Sequence, residues 1–423
     1  MTKTTTFPPT LTSSFQAKTQ ARPIPSRPSQ LRQTNARGLL QLLQEHNPCS
    51  KADLVRYSGL SAPTVSSGIA HLEGLGLVEQ MGDGESSGGR PPGLLRFNAR
   101  HGYVAAADIG GTRVRMMLAD LGGNVITQSS VMLGKDQKTP EGVCSLVVEG
   151  LKTMCRQSGT PLRKVLHMTV GAPGITNVDT GVVLSAPNLD NWNNVPLRDL
   201  LERESGIRCL VDNDTNLAAV GEYWRGAARG VENFIFIALG TGVGAGIFIH
   251  GRLLRGAHWS AGEIGYFGVS GKKRSPMKVR ELGQLEQVIG GRGIEEEWQR
   301  LLQRATSNRT VSAARTRELM GLKASQIFDL AAEGDRIAGE VVRYTSGILA
   351  DAIADISLLL NPEVVVLGGG VGCHPELCRA TEKLVQRHEF AQPMLRSSGL
   401  GTQAQLHGAV SISLSAVEAQ ILD

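Results

Sequence analysis

Aromatic residues make up only 4% of the 423-residue chain, and cysteine occurs six times without a single C-x-x-C pair. Cys49, Cys144, Cys155, Cys209, Cys373 and Cys378 are too scattered for a disulfide framework or a cysteine-rich metal site, and a reducing compartment suits them. Long hydrophobic runs are also missing. The most apolar stretch, 234–249, is interrupted by Thr241 and four glycines and reads as two strands around a turn, not as a membrane span. The N-terminus lacks the apolar segment of a secretory signal. A soluble, cytoplasmic protein with no membrane partner is the expectation. What is present, 41% apolar and 20% charged residues, is ordinary globular composition, and the length suits two or more domains. Glycine, at 51 residues, points to many tight turns and backbone-lined sites.

The net charge of +5 is unevenly placed. Residues 1–100 hold 11 basic and 6 acidic side chains, leaving 33 of each in the remainder, so all the excess lies in the first quarter. That quarter is the part expected to meet a polyanion. Within it, residues 1–30 contain seven Thr, four Ser, five Pro and no acid, which reads as a disordered basic leader. An organelle transit peptide would have a similar composition.

Residues 31–99 read as a DNA-binding domain. Leu39, Leu42 and Leu43 form an apolar helical stripe. Ser50 caps a second helix running through Tyr57, Ser58-Gly59-Leu60 turns the chain, and Ser61 caps a third helix from Ala62 to about Gly74. This is helix–turn–helix spacing. Val65, Ile69 and Leu72 face the core, while Pro63, Ser67, Ala70 and His71, flanked by Thr64 and Ser66, face outward. Small and hydroxylated side chains there allow close approach to a DNA groove. A strand from Leu77 to Gly82 and a return from Leu94 to Phe97 then make a hairpin wing. Its tip, Asp83 to Pro92, presents Arg90 for a phosphate or a minor groove. Helix–turn–helix spacing alone also fits a bland helical bundle.

Beyond Arg100 the chain becomes glycine-punctuated. The buried strand from Tyr103 ends in Asp108-Ile-Gly110-Gly111-Thr112, where glycines admit a phosphate, Asp108 can hold a magnesium-bound water and Thr112 can donate a hydroxyl. Similar loops are Gly240-Thr241-Gly242 after the apolar run 234–238, and Gly368-Gly369-Gly370 after the strand 364–367. Three such loops suggest a nucleotide cleft between two lobes. Asp214, in Val211-Asp-Asn-Asp-Thr-Asn216, is a candidate general base and Asn213 can hold a neighbouring hydroxyl. The alternative is an Asx turn capping a helix that starts near Asn216.

The order of these segments, from about Leu31 to the C-terminus, resembles the ROK family of repressors, open reading frames and sugar kinases. Ser61-Ala-Pro-Thr-Val-Ser66 and Gly88-Gly-Arg-Pro91 resemble the winged helix of its repressors. Asp108–Thr112, Ala186-Pro-Asn188, Asp212-Asn-Asp214, Leu239–Gly246, Gly262-Glu-Ile-Gly265 and Gly283-Gln-Leu-Glu286 resemble its two-lobed, actin-like sugar kinase module. The implied fold is α/β: a winged helix–turn–helix followed, over residues 100–423, by an effector and oligomerisation module. The resemblance implies sugar binding by Asn188, Asn213, Asp214, Glu263 and Glu286, with Asp214 the base in members that are kinases. It also implies a homodimer or homotetramer. Where the family's E-x-G-H segment has a histidine that contacts sugar and often binds zinc, this chain has Tyr266, which can still bond a sugar hydroxyl. Met277, Val279 and Gln284 stand where zinc-binding cysteines are expected, so zinc is expected to be absent. Trp259 occupies a position where glycine is common. The basic stretch Lys272-Lys-Arg274 with Lys278 and Arg280 replaces the metal region, as a solvated loop or an auxiliary phosphate contact.

Two functions follow. One is a regulator, read as a repressor with activation left open, that binds operator DNA and responds to a sugar or sugar phosphate without a required cofactor. The other is an ATP-magnesium-dependent sugar kinase carrying a regulatory DNA-binding domain.

Overall fold

The computed structural model describes residues 28–83, 93–134, 137–186, 189, 191–271, 273, 276–278, 281–308 and 312–422. The chain divides into two compact units, one comprising residues 1–97 and 422–423, the other residues 98–421. No helix among the described residues is long and apolar enough to cross a membrane.

The first unit contains helices Pro28–Glu45, Lys51–Ser58 and Ala62–Gly74 and a three-stranded antiparallel sheet. The first helix starts three residues before Leu31, with proline at its N-terminus, where the missing N–H costs nothing. The second begins at a reciprocal capping box: Ser50 N–H donates to Asp53 Oδ2 at 2.9 Å, and Ser50 Oγ accepts from Asp53 N–H at 3.1 Å. Leu39, Leu43, Leu54, Val65, Ile69 and Leu72 are all fully buried. At about 1.5–3 kcal/mol each, they hold the three helices together, the 8- and 13-residue ones being too short to persist alone. The wing strands are Val78–Asp83 and Gly93–Phe97, and the short strand Cys49–Ser50 adds to the latter. That third strand is not apparent from the sequence, since two residues carry no periodicity. The tip beyond Asp83, with Arg90, lies outside the described residues.

The second unit is built on two five-stranded sheets of matching topology. In one, the antiparallel meander Tyr103–Ile109, Arg113–Asp120, Val125–Met132 is extended beside its first strand by parallel strands Val165–Ala172 and Cys209–Asn213. In the other, the meander Phe234–Leu239, Val243–Ile249, Arg252–Leu254 is extended by Val364–Gly368 and Met394–Ser397. The duplication explains why glycine-rich loops recur: 110–112 and 240–242 are the same first hairpin in each sheet.

Strand Phe234–Leu239 is apolar throughout because both faces are covered. Ile235, Ile237 and Leu239 belong to a core with Trp298, Phe328 and Val341 from the surrounding helices. Phe234 and Phe236 pack with Ala218 and Ala219 of helix Asp214–Arg225 and with Ala404. The core of the first sheet joins Ala105, Ala107 and Ile109 to Val143, Val147 and Leu151 of helix Pro140–Ser158. Helix Ala404–Leu422 crosses helix Asp214–Arg225 so tightly that a Cβ on Gly408 would lie 1.8 Å from the Leu217 carbonyl oxygen. The same helix reaches the first sheet through Ser413, whose Oγ lies 3.0 Å from His167 Nδ1 and 2.7 Å from Thr169 Oγ1. Two helices therefore link the lobes.

Candidate functional site

In the first unit, helix Ala62–Gly74 presents Pro63, Ser66, Ser67, Ala70 and His71 to solvent, with Val65, Ile69 and Leu72 beneath. Thr64 is half-buried, and its hydroxyl lies 2.8 Å from that of the cap residue Ser61. Its first task is therefore to close the helix start.

In the second unit, the strand ends of both sheets converge on one cleft. Gly110 and Gly111 line it from the first hairpin, Gly240, Thr241 and Gly242 from the second, and Gly369 and Gly370 from the third loop. Gly369 opens a short helix, Gly369–Gly372, directly after its strand. Thr112 is exposed and is not part of the lining. Asp108 lies buried beneath it and accepts from Arg115 Nε at 3.0 Å and Nη2 at 2.6 Å, both on Oδ2. Arg115 Nη1 in turn donates to the Thr402 carbonyl, ahead of the terminal helix. Arg115 was not apparent as a site residue, though its signal is simple: a tight hairpin at Gly110-Gly111 sets Asp108 directly opposite it.

Asn213 and Asp214 divide the roles left open by the sequence. The helix starts at Asp214, not near Asn216, and its N-cap is Asn213, whose Oδ1 accepts from Asn216 N–H at 2.9 Å while Nδ2 donates to Gly174 O at 2.9 Å. The Asx cap is thus Asn213, and Asp214 is left as a cleft-lining residue whose Oδ1 accepts from Thr215 N–H at 2.7 Å. Asp212, two residues before Asp214, pairs with Arg255 at 2.5 Å, a contact across 43 positions that no local pattern announces.

Glu263 and Glu286 come from segments packed against the second sheet. Gly262, at φ +91°, lets this segment press on strand Val243–Ile249: a Cβ there would stand 1.9 Å from the Ala245 carbonyl oxygen. Glu286, near the start of helix Gln284–Ile289, also lines the cleft. Asn188 lies outside the described residues.

Burial dominates the electrostatics. It pushes the Asp214 carboxyl up to about 7, with the nearby Asp108 charge adding to the effect and the Thr215 hydrogen bonds opposing it. It pushes Glu263 up to about 7 as well, with Glu286 adding repulsion. Glu286 is raised by burial, against a hydrogen bond from the Val243 backbone. Asp108 is raised by burial while Arg115 opposes the rise. Acids raised toward neutrality among glycine loops, as Asp214 and Glu263 are, can accept from ligand hydroxyls or take a proton from one.

Tyr266 lines the cleft, yet its hydroxyl donates to the backbone carbonyls of Glu281 at 2.9 Å and Lys278 at 3.2 Å. Gln284 Oε1 accepts from Val269 N–H at 3.1 Å and its Nε2 donates to Lys273 O at 3.1 Å. Met277 is 72% exposed. Val279, Lys272, Arg274 and Arg280 lie outside the described residues. Lys278 pairs with Glu281 at 2.8 Å. The loop is therefore held by hydrogen bonds from Tyr266 and Gln284.

Comparison with known proteins agrees with this architecture. Residues 34–82 match the IclR helix-turn-helix domain and residues 104–416 match the ROK family. The chain is 28% identical to a xylose repressor of Caldicellulosiruptor bescii over 392 residues, covering 91% of this chain and 96% of that one. It is 33% identical to a glucokinase of Halalkalibacterium halodurans over 270 residues, 64% of this chain and 80% of the other. Among solved structures, a ROK family transcriptional regulator described as a homologue of the E. coli MLC protein shares the fold, with TM-score 0.75 at 23% identity over 93% of this chain and 98% of that one. A helix–turn–helix unit followed by a duplicated two-lobed module with a glycine-lined acidic cleft makes this chain a member of the ROK family.

Proposed function

We propose that this protein is a sugar-responsive transcriptional repressor acting in the cytoplasm as a homodimer or homotetramer. Its winged helix binds operator DNA, and a sugar or sugar phosphate in the cleft shifts operator affinity. One combination carries the reading. A helix–turn–helix with an outward face of small, polar residues shares a chain with a cleft in which Asp214, Glu263 and Glu286 converge. Similarity to a xylose repressor runs across both parts, over 91% of the chain. In the DNA-binding unit, Pro63, Thr64, Ser66, Ser67, His71 and Arg90 are the assigned contacts. In the cleft, Asn188, Asn213, Asp214, Glu263 and Glu286 take sugar hydroxyls, and the bond geometry of Tyr266 makes it a support for them. Ligand-induced motion changes operator affinity by as much as the ligand's preference for one lobe arrangement over the other. A two-fold dimer calls for a pseudo-palindromic operator with half-sites about one helical turn apart, or a multiple of it.

Zinc has no part in this reading. The tyrosine and the glutamine amide that occupy described positions of the family's metal region are poor zinc donors, and their hydrogen bonds already join the loop. The glycine loops could cradle ATP phosphates, but Asp108, which would steady a magnesium-bound water, already carries the Arg115 guanidinium.

The test is fluorescence anisotropy with DNA from upstream of the protein's own gene, at fixed salt with non-specific competitor, alone and with hexoses, pentoses and amino sugars. Specific binding released by one sugar supports the repressor, and binding strengthened by it indicates activation. Absence of specific binding, together with ATP-dependent turnover of a hexose lost in Asp214→Asn, would overturn the proposal in favour of a kinase.

A further inference from the structure

Trp259 adopts φ +56°, in the left-handed region that a bulky side chain rarely occupies. The other described non-glycine residues with positive φ are Asn191, Asn194, His250, Asn361 and Ala391. Of the six, Trp259 alone lines the cleft. Its loop is tied at both ends. Arg255 holds Asp212 at 2.5 Å, the Arg255 carbonyl accepts from Ala261 N–H at 3.2 Å, and the Gly262 carbonyl accepts from Ala245 N–H at 2.8 Å. A conformation so unfavourable persists only where its surroundings over-determine it, and such positions concentrate at ligand sites.

The other tryptophans have evident structural partners. Trp192 donates its indole N–H to Lys138 O at 2.8 Å, Trp298 donates to Leu319 O at 2.9 Å, and Trp224 carries the Arg225 guanidinium 3.9 Å above its ring. Trp259 makes no hydrogen bond, ring contact or cation contact with the described residues, and it is half-buried. An indole without a partner on a strained backbone, lining the same cleft as Glu263, Glu286 and Asp214, supplies the apolar counterpart to those acids. A pyranose has the same two sides: a rim of hydroxyls and a face of C–H groups. We infer that Trp259 is the stacking wall of the ligand site, taking the C–H face of a pyranose while the carboxylates hold its hydroxyls, and that it thereby sets which sugars are accepted. This inference rests on the sugar-binding reading above.

Trp259→Gly suits the left-handed backbone and removes the wall, whereas Trp259→Phe keeps an aromatic face. Calorimetric titration of the full chain with D-glucose, D-xylose, N-acetyl-D-glucosamine and glucose 6-phosphate would be paired with melting curves and intrinsic fluorescence. For whichever sugar binds the wild type, Trp259→Gly is expected to weaken affinity by about tenfold or more with an unchanged or higher melting temperature. Trp259→Phe is expected to stay within about threefold and to lose the fluorescence response to sugar. Unchanged affinity in Trp259→Gly, or sugar binding that leaves wild-type and Trp259→Phe fluorescence responses alike, would overturn the inference and leave the regulator reading intact. A lower melting temperature in both variants with parallel loss of affinity would make Trp259 a packing residue and also overturn it. No binding of any of the four sugars to the wild type would remove the sugar-binding reading itself, and the wall with it.

Discussion

Replacing Asp214 with Asn separates the cost of this carboxylate from its use. Asp214 is half-buried at the head of helix Asp214–Arg225, and desolvation pushes its carboxyl up to about 7 from 3.8. Between those values the folded protein holds a proton that the unfolded chain has released, so stability falls as pH rises through the window. The full gap corresponds to roughly 4 kcal/mol at pH 8, and to less than half of that at pH 5, where only part of it has accumulated. Asparagine cannot ionise, keeps the shape, and retains an oxygen to accept from Thr215 N–H, a 2.7 Å bond in the native protein. Asp214→Asn should therefore stabilise the protein, by up to about 4 kcal/mol at pH 8 and by less than half as much at pH 5. Urea unfolding followed by circular dichroism at the two pH values reads both quantities. The same variant should lose its response to sugar, the trade expected of a strained functional group. A loss of stability at pH 8, or an equal gain at both pH values, would refute the electrostatic reasoning and make Asp214 a structural ion.

Other expectations are narrower. Glu286→Gln should weaken the sugar response without changing sugar-free DNA affinity, and a change in the latter by anisotropy would mark Glu286 as structural. Because Glu263 titrates near 7, sugar affinity should rise between pH 6 and 8 as the better, ionised acceptor forms; a flat calorimetric profile would count against its contact with hydroxyls. Gln284→Ala removes both bonds that pin Val269 and Lys273, and should speed amide exchange at Val269 while chelator leaves the wild type unaffected. Chelator-induced exchange in the wild type would instead reveal a metal. Arg90→Ala should weaken operator binding and flatten its salt slope by about one unit if Arg90 contacts a phosphate, and an unchanged slope and affinity would remove it from the interface.

How far these residues could be read in advance depended on how local their causes were. Ser50, Ser61 and the Val65-Ile69-Leu72 stripe announce their helices because a cap and an apolar period act within one or two turns. The glycine loops were legible for a similar reason, each following a short apolar strand. Asp214 was harder: the capping alternative was correct chemistry assigned to the wrong neighbour, since Asn213 makes the cap and frees Asp214 for the cleft. The two-residue strand Cys49–Ser50 and the duplicated sheet topology left no comparable mark, because pairing partners are chosen across tens of residues. Tyr266 shows the limit of reading a side chain by type. Its hydroxyl suits a sugar, but the folded loop brings two backbone carbonyls to it first.

The amino-acid sequence by itself determined the helix starts, the outward face of the recognition helix and the glycine turns, whereas Glu263 and Glu286 were named only through the family resemblance. Those local features follow from φ/ψ preference, hydrogen-bonding capacity and periodicity over a few residues. Only the tertiary structure decided that Arg115 pairs with Asp108, that Arg255 anchors Asp212, and that Asp214 and Glu263 are pushed up to about 7. Desolvation and charge coupling are sums over neighbours, and here those neighbours come from strands and loops far apart in the chain.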